Sequence, residues 1–272
     1  MTAFYISIGV IVLFSLLYLF ILKGRTGHAD WPKLQGWHYA HRGLHGEGIP
    51  ENSLAAFRAA KEGGYGIELD VHLMKDGNLA VIHDASLKRT AGADVTIEEL
   101  TVEDLENYRL EGTDEKIPLF SQVLELYAGA APLIVELKSV GKNVDALCRA
   151  TCDMLAEYDG AYCLESFDPR CISWLRKNRP HLIRGQLSEN FFKSKTSKLP
   201  WFLKLLMKYN FFNLTGRPDF VAYKFVDRKN ISIFICRKIW KLQVVAWTIR
   251  TPEDQQAAVN EGWLSIFEKF KA

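Results

Sequence analysis

Apolar positions along the 272-residue chain gather into one long run and nine short ones. The long run, AFYISIGVIVLFSLLYLFIL (3–22), carries no charge and has no polar face. At roughly 1.5 Å rise per residue it spans about 30 Å, the hydrocarbon core of a bilayer. A cleavable signal peptide would show a basic start, a shorter apolar stretch and small residues at a cleavage site. The run has none of these and predicts an uncleaved transmembrane helix. The short runs are GWHYAHR (36–42), YGIELDV (65–71), LAVIHD (79–84), LIVELK (133–138), AYCLESF (161–167), LIRGQLS (182–188), DFVAYKF (219–225), LQVVAWTI (242–249) and WLSIF (263–267). Most are separated by 15–35 residues with apolar positions at helical spacing, as in SLAAFRAAKEGG and NVDALCRATCDMLAEY. This alternation predicts an α/β fold of parallel strands joined by helical crossovers. So many strands exceed a small doubly wound sheet and suit a closed (β/α)8, or TIM, barrel.

One run stands outside the barrel wall. Only HLMKDGN separates GIELDV from LAVIHD, and parallel strands cannot be joined so briefly. Asp76-Gly77 between strand-like residues signals a two-residue hairpin loop. That loop pairs Lys75 with Asn78, Met74 with Leu79, His72 with Val81 and Asp70 with His83. Directly opposed side chains share a face, so His83 is expected beside Asp70, with Glu68 on the same face two residues earlier. Setting LAVIHD aside leaves eight parallel strands.

The predicted organisation is a transmembrane anchor (3–22), a juxtamembrane linker (23–35) and one barrel domain (36–272). Within the barrel domain, residues 85–132 form the longest connection and are expected to make a small elaboration or, equally, a loop with one helix. There TIEELTVEDL (96–105) reads as a capped turn and a short helix. Residues 190–218 hold six Lys or Arg and no acid, although the whole chain is only +2. Trp201, Phe202, Leu205, Leu206 and Tyr209 make a stripe there, with Lys204 and Lys208 on another face. A basic amphipathic helix of this kind suits a membrane surface or a lipid-like substrate. It equally suits an outer barrel helix packed on the strands.

A chain 48% hydrophobic and 24% charged is globular, and its small net charge speaks against a nucleic-acid partner. The five cysteines are an odd number set in apolar stretches. Cys148 and Cys152, one helical turn apart, suit neighbours on a helix face better than a metal knuckle. All five are expected to be reduced and mostly buried, which favours a reducing compartment. Lys23, Arg25 and Lys33 follow the apolar run, opposed only by Asp30, so the positive-inside rule places the barrel on the cytoplasmic side of the membrane.

Active sites of parallel barrels are built at the C-terminal ends of the strands, and here those ends are rich in ionisable groups. Glu68 and Asp70, at i and i+2, project to one side of their strand; Glu136 ends another apolar run. Three carboxylates without thiols suit a hard divalent cation, Ca²⁺ or Mg²⁺, and burying them without a cation would be prohibitive. His41 and His83 flank that position and have the chemistry of a general base and a general acid for phosphoryl transfer. Arg42 offers a planar fork for phosphate oxygens. His38 sits near its strand's start, His72 lies farther up the hairpin, and His45 and His181 are expected to face solvent.

HRG (41–43), PENSLAAF (50–57), IELDV (67–71), KDG (75–77), VIHD (81–84), VELK (135–138) and AWT (246–248) resemble, in order and spacing, the glycerophosphodiester phosphodiesterases. The resemblance covers about residues 37–268. It implies a TIM barrel like that of phosphatidylinositol-specific phospholipase C, a divalent metal, and hydrolysis of a phosphodiester carrying glycerol. By position, Glu68, Asp70 and Glu136 match metal ligands, with Glu51 a candidate fourth. His41 and His83 match the acid/base pair, Arg42 and Lys138 the phosphate-holding positions, and Trp247 an aromatic of the substrate cleft. The chain departs from the pattern at its end, where Trp263-Leu264 replace an Asp-Gly and the closing Thr-Asp is missing, so the last strand is expected to be poorly covered. Ser53 stands where Thr is common, and Glu165 precedes Ser-Phe where an apolar residue is usual.

Together these features describe a single-pass membrane phosphodiesterase whose substrates are glycerophosphodiesters or lysophospholipids, cleaved to a phosphomonoester and an alcohol. Two other readings compete. An amidohydrolase-type barrel would want His-x-His on the first strand, where position 39 is Tyr. An inert membrane-anchored lipid-binding domain would have lost some of the ligands, all of which are present.

Overall fold

The computed structural model describes residues 1–194 and 197–272. Its strands are β1 (His38–His41), β2 (Gly66–Leu73), β3 (Leu79–Val81), β4 (Leu133–Leu137), β5 (Tyr162–Ser166), β6 (Arg184–Ser188), β7 (Phe220–Lys224), β8 (Gln243–Ile249) and β9 (Leu264–Phe267). The helices are α1 (Thr2–Leu22), α2 (Leu54–Glu62), α3 (Lys88–Ala91), α4 (Phe120–Tyr127), α5 (Val144–Ala156), α6 (Pro169–Asn178), α7 (Trp201–Lys208), α8 (Asn213–Gly216), α9 (Ile231–Phe234) and α10 (Pro252–Asn260). β1 pairs in parallel with β2 on one side and β9 on the other, so eight parallel strands close a TIM-type barrel, with β3 antiparallel on β2. Each predicted run holds one strand.

Strand alternation separates two apolar layers. Ile67, Leu69 and Val71 of β2 join the layer between strands and helices, which turns the intervening Glu68 and Asp70 into the barrel. Tyr39, Ile134, Cys163, Phe220, Ala222 and Ile266 pack inside. Trp31 and Leu34, on a 3₁₀ turn at Trp31–Leu34, join them at the N-terminal mouth, where Tyr39 Oη donates to Leu34 O at 2.7 Å. The segment predicted as a linker therefore also plugs the barrel floor. All five cysteines are free and buried, with Cys148 and Cys152 both on α5.

The hairpin differs from the expected register by one residue. Val71 pairs with Val81, His72 with Ala80 and Leu73 with Leu79. Gly77 N–H donates to Met74 O, Met74 N–H donates to Asn78 O, and Gly77 has φ +87°. These bonds define a three-residue loop ending in a left-handed glycine, which adds one residue to the turn. Asp70 accordingly accepts from Ile82 N–H through its carbonyl, and His83 lies one step beyond the paired position.

In the connection 85–132, Ile97, Leu100, Leu105, Leu110 and Ile117 bury a small core of their own with Ala80 and Ile82 of the hairpin. Thr96 and Glu99 form the reciprocal cap of a short turn. α4 closes the connection as an ordinary crossover helix, its Phe120, Val123 and Tyr127 buried on the barrel.

Leu264–Phe267 is buried along its whole length, with parallel partners in both β1 and β8. The expectation of a poorly covered last strand is thus corrected: backbone pairing on both edges holds β9 without the missing residues. In the basic segment, Trp201, Phe202 and Leu205 face outward, while Met207 is the buried residue of α7. Lys195, one of the six basic residues counted there, lies outside the described residues.

α1 is long and apolar enough to cross a bilayer. Its residues 2–17 are exposed, and its last turn is seated on the barrel. There Leu22 is buried, Asn213 Nδ2 and Trp240 Nε1 donate to the carbonyls of Leu22 and Leu19, and Arg217 donates to Phe20 O.

Candidate active site

The first barrel strand delivers His41 and then turns sharply. Arg42 (φ +56°) and Gly43 (φ +79°) both take left-handed backbone. A Cβ on Gly43 would lie 2.8 Å from the backbone of Ala56, so only glycine fits between this turn and α2. Ser53 caps α2 by accepting from Ala56 N–H at 3.1 Å. This frees Asn52, which is buried and donates to Asp70 Oδ2 at 2.9 Å. Ser53 takes the cap and Asn52 the carboxylate.

Register then builds the carboxylate layer. Asp70 is paired with Glu136, and Glu136 with Glu165, across three adjacent strands, while His41 is paired with Glu68. Ligand oxygens of Glu68, Asp70 and Glu136 fall within 4.8 Å of one another, and all three residues are buried. Burial, reinforced by Asp70 and Glu136, pushes the Glu68 carboxyl well above the usual carboxylate range. Burial also raises Glu136 against the pull of Lys138. Asp70 goes the other way: burial is outweighed by Lys138, His83 and Arg42 and by the Asn52 hydrogen bond, which hold it well below the usual range. Lys138 Nζ lies 3.0 Å from Glu136 Oε1 and 3.3 Å from Asp70 Oδ1, and Arg42 Nε lies 3.5 Å from Asp70 Oδ2. Asp70 Oδ1 and Arg42 Nε have no hydrogen-bond partner. Arg42 and Lys138 face three buried carboxyls, one more acid than there are cations, and the oxygen-only donor set fits a hard divalent cation.

Each candidate acid/base histidine is held through Nδ1 by a carboxylate. His41 Nδ1 is 2.7 Å from Glu268 Oε2, and its Nε2 is 3.9 Å from Glu68 Oε2. Burial lowers the His41 pKa despite that partner. Glu268 is in turn held far below the usual carboxylate range, because the hydrogen bond from His41 and the nearby His45 and Arg250 overcome its burial. His83 Nδ1 is 2.6 Å from Asp84 Oδ1. Arg89 links Asp84 Oδ2 (2.5 Å) to Glu51 Oε1 (2.6 Å), which also accepts from Arg42 Nη1 at 2.9 Å. Glu51 thus sits between two guanidiniums, outside the three-acid cluster. Lys224 lies over the Trp247 ring at 5.7 Å, and Phe167 meets that ring edge-on at 5.5 Å.

His45 corrects an expectation. Its Nε2 is 3.9 Å from Glu268 Oε2 and its side chain is 20% exposed, so it belongs to the site and not to the solvent. Glu268 and Asp84 escaped the sequence reading. Asp84 carried a signal, since it directly follows His83. Glu268 carried none, because only barrel closure brings the last strand's exit beside the first's. Glu165 points to the same layer with Oε2 unpartnered, and burial followed by repulsion from Glu136 raises its carboxyl well above the usual range.

A cleft of about 710 Å³ opens beside this layer. His83, Glu136 and Lys138 line its polar end; Phe167, Phe191, Leu199, Leu203, Met207 and Phe212 line the other.

Oxygen donors for a hard cation, set between two carboxylate-held imidazoles at the C-terminal end of a barrel, are the equipment of a TIM-barrel phosphodiesterase. The Glycerophosphoryl diester phosphodiesterase family model matches residues 41–264, and the chain belongs to that family. It is a phosphodiester hydrolase. A glycerophosphodiester phosphodiesterase of Caldanaerobacter subterraneus is 28% identical over 238 residues, covering 82% of this chain and 89% of that one. Lysophospholipase D GDPD1 of Rattus norvegicus is 35% identical over 134 residues, 44% of this chain and 41% of that one. In structure, an Oleispira antarctica phosphodiesterase in complex with the product sn-glycerol-3-phosphate superposes with a TM-score of 0.71 at 20% identity, covering 90% of this chain and 95% of that one.

Proposed function

We propose that this chain hydrolyses glycerophosphodiesters to a glycerol phosphate-type phosphomonoester and an alcohol, with Glu68, Asp70 and Glu136 holding one divalent cation, Ca²⁺ or Mg²⁺. The cation would supply Lewis-acid polarisation of the phosphoryl oxygens. Arg42 and Lys138 orient the phosphate, with Trp247 lining the cleft. His41 is the base: burial keeps its imidazole neutral, and donation from Nδ1 to Glu268 leaves the Nε2 lone pair free to take a proton. His83, fixed through Nδ1 by Asp84, returns a proton from Nε2 to the departing alkoxide. The nucleophile is a water or the substrate's own glycerol hydroxyl, and either loses its proton to the same base. Glu51 serves by holding Arg42 and Arg89 in place. α1 anchors the enzyme in a membrane, with the barrel on the cytoplasmic side.

The observation that carries this reading is the pairing of each histidine with its own carboxylate, Glu268 for His41 and Asp84 for His83, on either side of one acidic layer. Release of choline from glycerophosphocholine, with Ca²⁺ or Mg²⁺ and with EDTA, tests it. Metal-dependent release abolished in both His41→Ala and His83→Ala supports the assignment; full activity in either variant refutes it.

A further inference from the structure

α1 cannot cross a bilayer on its free residues alone. Residues 2–17 are exposed and rise about 24 Å, roughly 6 Å less than a hydrocarbon core of about 30 Å. The remaining depth comes from the last turn, which the barrel holds. Tyr18 Oη donates to Tyr209 O at 3.1 Å, the Tyr18 ring packs on Phe211 at 5.2 Å, and Trp240 Nε1 donates to Leu19 O at 2.8 Å. A spanning α1 therefore draws the barrel surface beside Tyr209 against the bilayer, to a depth of about one helical turn.

A pocket of about 650 Å³ opens at that surface, with Tyr209 in its lining. Lys193, after β6, and Lys208, at the end of α7, stand on one side; Arg228 and Lys229, in the connection after β7, stand on the other. Asp227 is the one acid among the lining residues, and Lys193 Nζ takes it up at 2.6 Å. Four cations against one acid leave the pocket three positive charges in excess. Buried Tyr223 ties the two sides together: its Oη donates to Lys208 O at 3.0 Å and accepts from Asn230 Nδ2 at 2.7 Å. No residue of the acidic layer lines the pocket.

The mouth of the pocket is apolar. Val226 is 67% exposed and Ile231 55%, and Phe192, whose ring lies 5.8 Å from Lys208 Nζ, is 51% exposed. A dissolved anion or a nucleic-acid backbone would meet the charge and leave these side chains in water. A phospholipid headgroup at the bilayer surface meets both.

We infer that the Lys193–Lys208–Arg228–Lys229 pocket binds the phosphate of an anionic phospholipid, in the leaflet at the C-terminal end of α1. Phe192, Val226 and Ile231 dip among the lipids around it. The inference rests on the reading of α1 as a membrane anchor and is independent of the catalytic assignment. A lipid held there fixes the rotation of the barrel about α1, which a single helix by itself leaves free.

The test is native mass spectrometry of the full-length protein in mild detergent, titrated with phosphatidic acid and with phosphatidylcholine. Phosphatidic acid has no diester bond and cannot be consumed as substrate. It should be retained in preference to phosphatidylcholine, and inorganic phosphate should not displace it. Lys229→Gln should weaken its binding about fivefold, and Lys193→Gln with Lys229→Gln about twenty-fivefold. Both lysines are exposed, so these variants should melt as the parent does. Lys75→Gln removes the same charge from the hairpin on β2, across the barrel from β7, and should bind as the parent. Equal retention of the two lipids would overturn the pocket, as would displacement by inorganic phosphate or variants that bind as the parent. A short single-stranded DNA bound as tightly as phosphatidic acid would also overturn it, in favour of a general polyanion surface. Release of the protein from vesicles by alkaline carbonate would overturn the anchor and, with it, the lipid pocket.

Discussion

His41 Nδ1 and Glu268 Oε2 stand 2.7 Å apart, 227 positions apart in sequence. Ala40 is paired with Phe267, so the next residue on each strand emerges at the same height on the catalytic face. The seam that closes the barrel is thereby also the support of the proposed catalytic base. Glu268→Gln should lower kcat roughly ten- to a hundredfold, less than the loss of the imidazole itself. Its KM and cation affinity should change little, and the acid limb of the pH–rate profile should shift. Steady-state kinetics across pH with a cation-binding titration would check this; an unaltered profile would assign Glu268 a purely structural role.

On the opposite side, Asp84 holds His83 and is itself held by Arg89. Asp84→Asn and Arg89→Ala should both reduce kcat, Asp84→Asn by about ten- to a hundredfold and Arg89→Ala by less. Because the two act through one imidazole, their effects should be less than additive in the double variant. Full additivity would indicate independent roles.

In the proposed cation site, removal of one cluster carboxylate would leave too few donors. Glu68→Ala or Glu136→Ala should abolish cation binding by calorimetry and cost about a thousandfold or more in activity, equivalent to several kcal/mol of transition-state stabilisation. Circular dichroism should show the barrel still folded, since fewer buried acids then need charge compensation.

Glu68 provides a pH dependence. Its carboxyl in the folded, metal-free chain is raised by burial, by Asp70 and by Glu136, whereas the unfolded chain ionises near its ordinary value of about 4.3. The metal-free fold gains proton-linked stability below that value and loses it as pH rises toward the folded-state pKa. A cation must displace the retained proton, so cation affinity should rise with pH and level off above the folded-state pKa. Calorimetry in two buffers of different ionisation enthalpy should record proton release at mildly acidic pH and none on the plateau. Affinity independent of pH would contradict the protonated Glu68.

Gly43→Ala forces a side chain into left-handed backbone, with its Cβ 2.8 Å from Ala56. The variant should lose about 1–3 kcal/mol of stability. It should also lose activity, because the same turn sets His41 and Arg42. Thermal melts beside kinetics would separate the two effects.

Much of this protein was already decided by local pattern. Period-two alternation in IELDV turns Glu68 and Asp70 inward whatever the strand pairs with, and the helical spacing of SLAAFRAA fixes α2. The short turn between GIELDV and LAVIHD excludes a parallel connection. HRG, VIHD and VELK stand at strand ends because apolar runs stop there. These are properties of neighbouring residues, and one chain is enough to express them.

The tertiary structure decided what depends on distant segments meeting. The hairpin register turned on one left-handed glycine, a difference of one residue that no hydrophobic pattern specifies. Glu268 and His45 acquired partners only when β9 came beside β1. Glu51 became a bridge between Arg42 and Arg89 once the connection after β3 folded back over the first loop. The face of α7 that lines the cleft is the one carrying Leu203 and Met207, while its most aromatic residues point outward. Alternation and helical spacing state which residues share a face; only closure of the barrel states what that face meets.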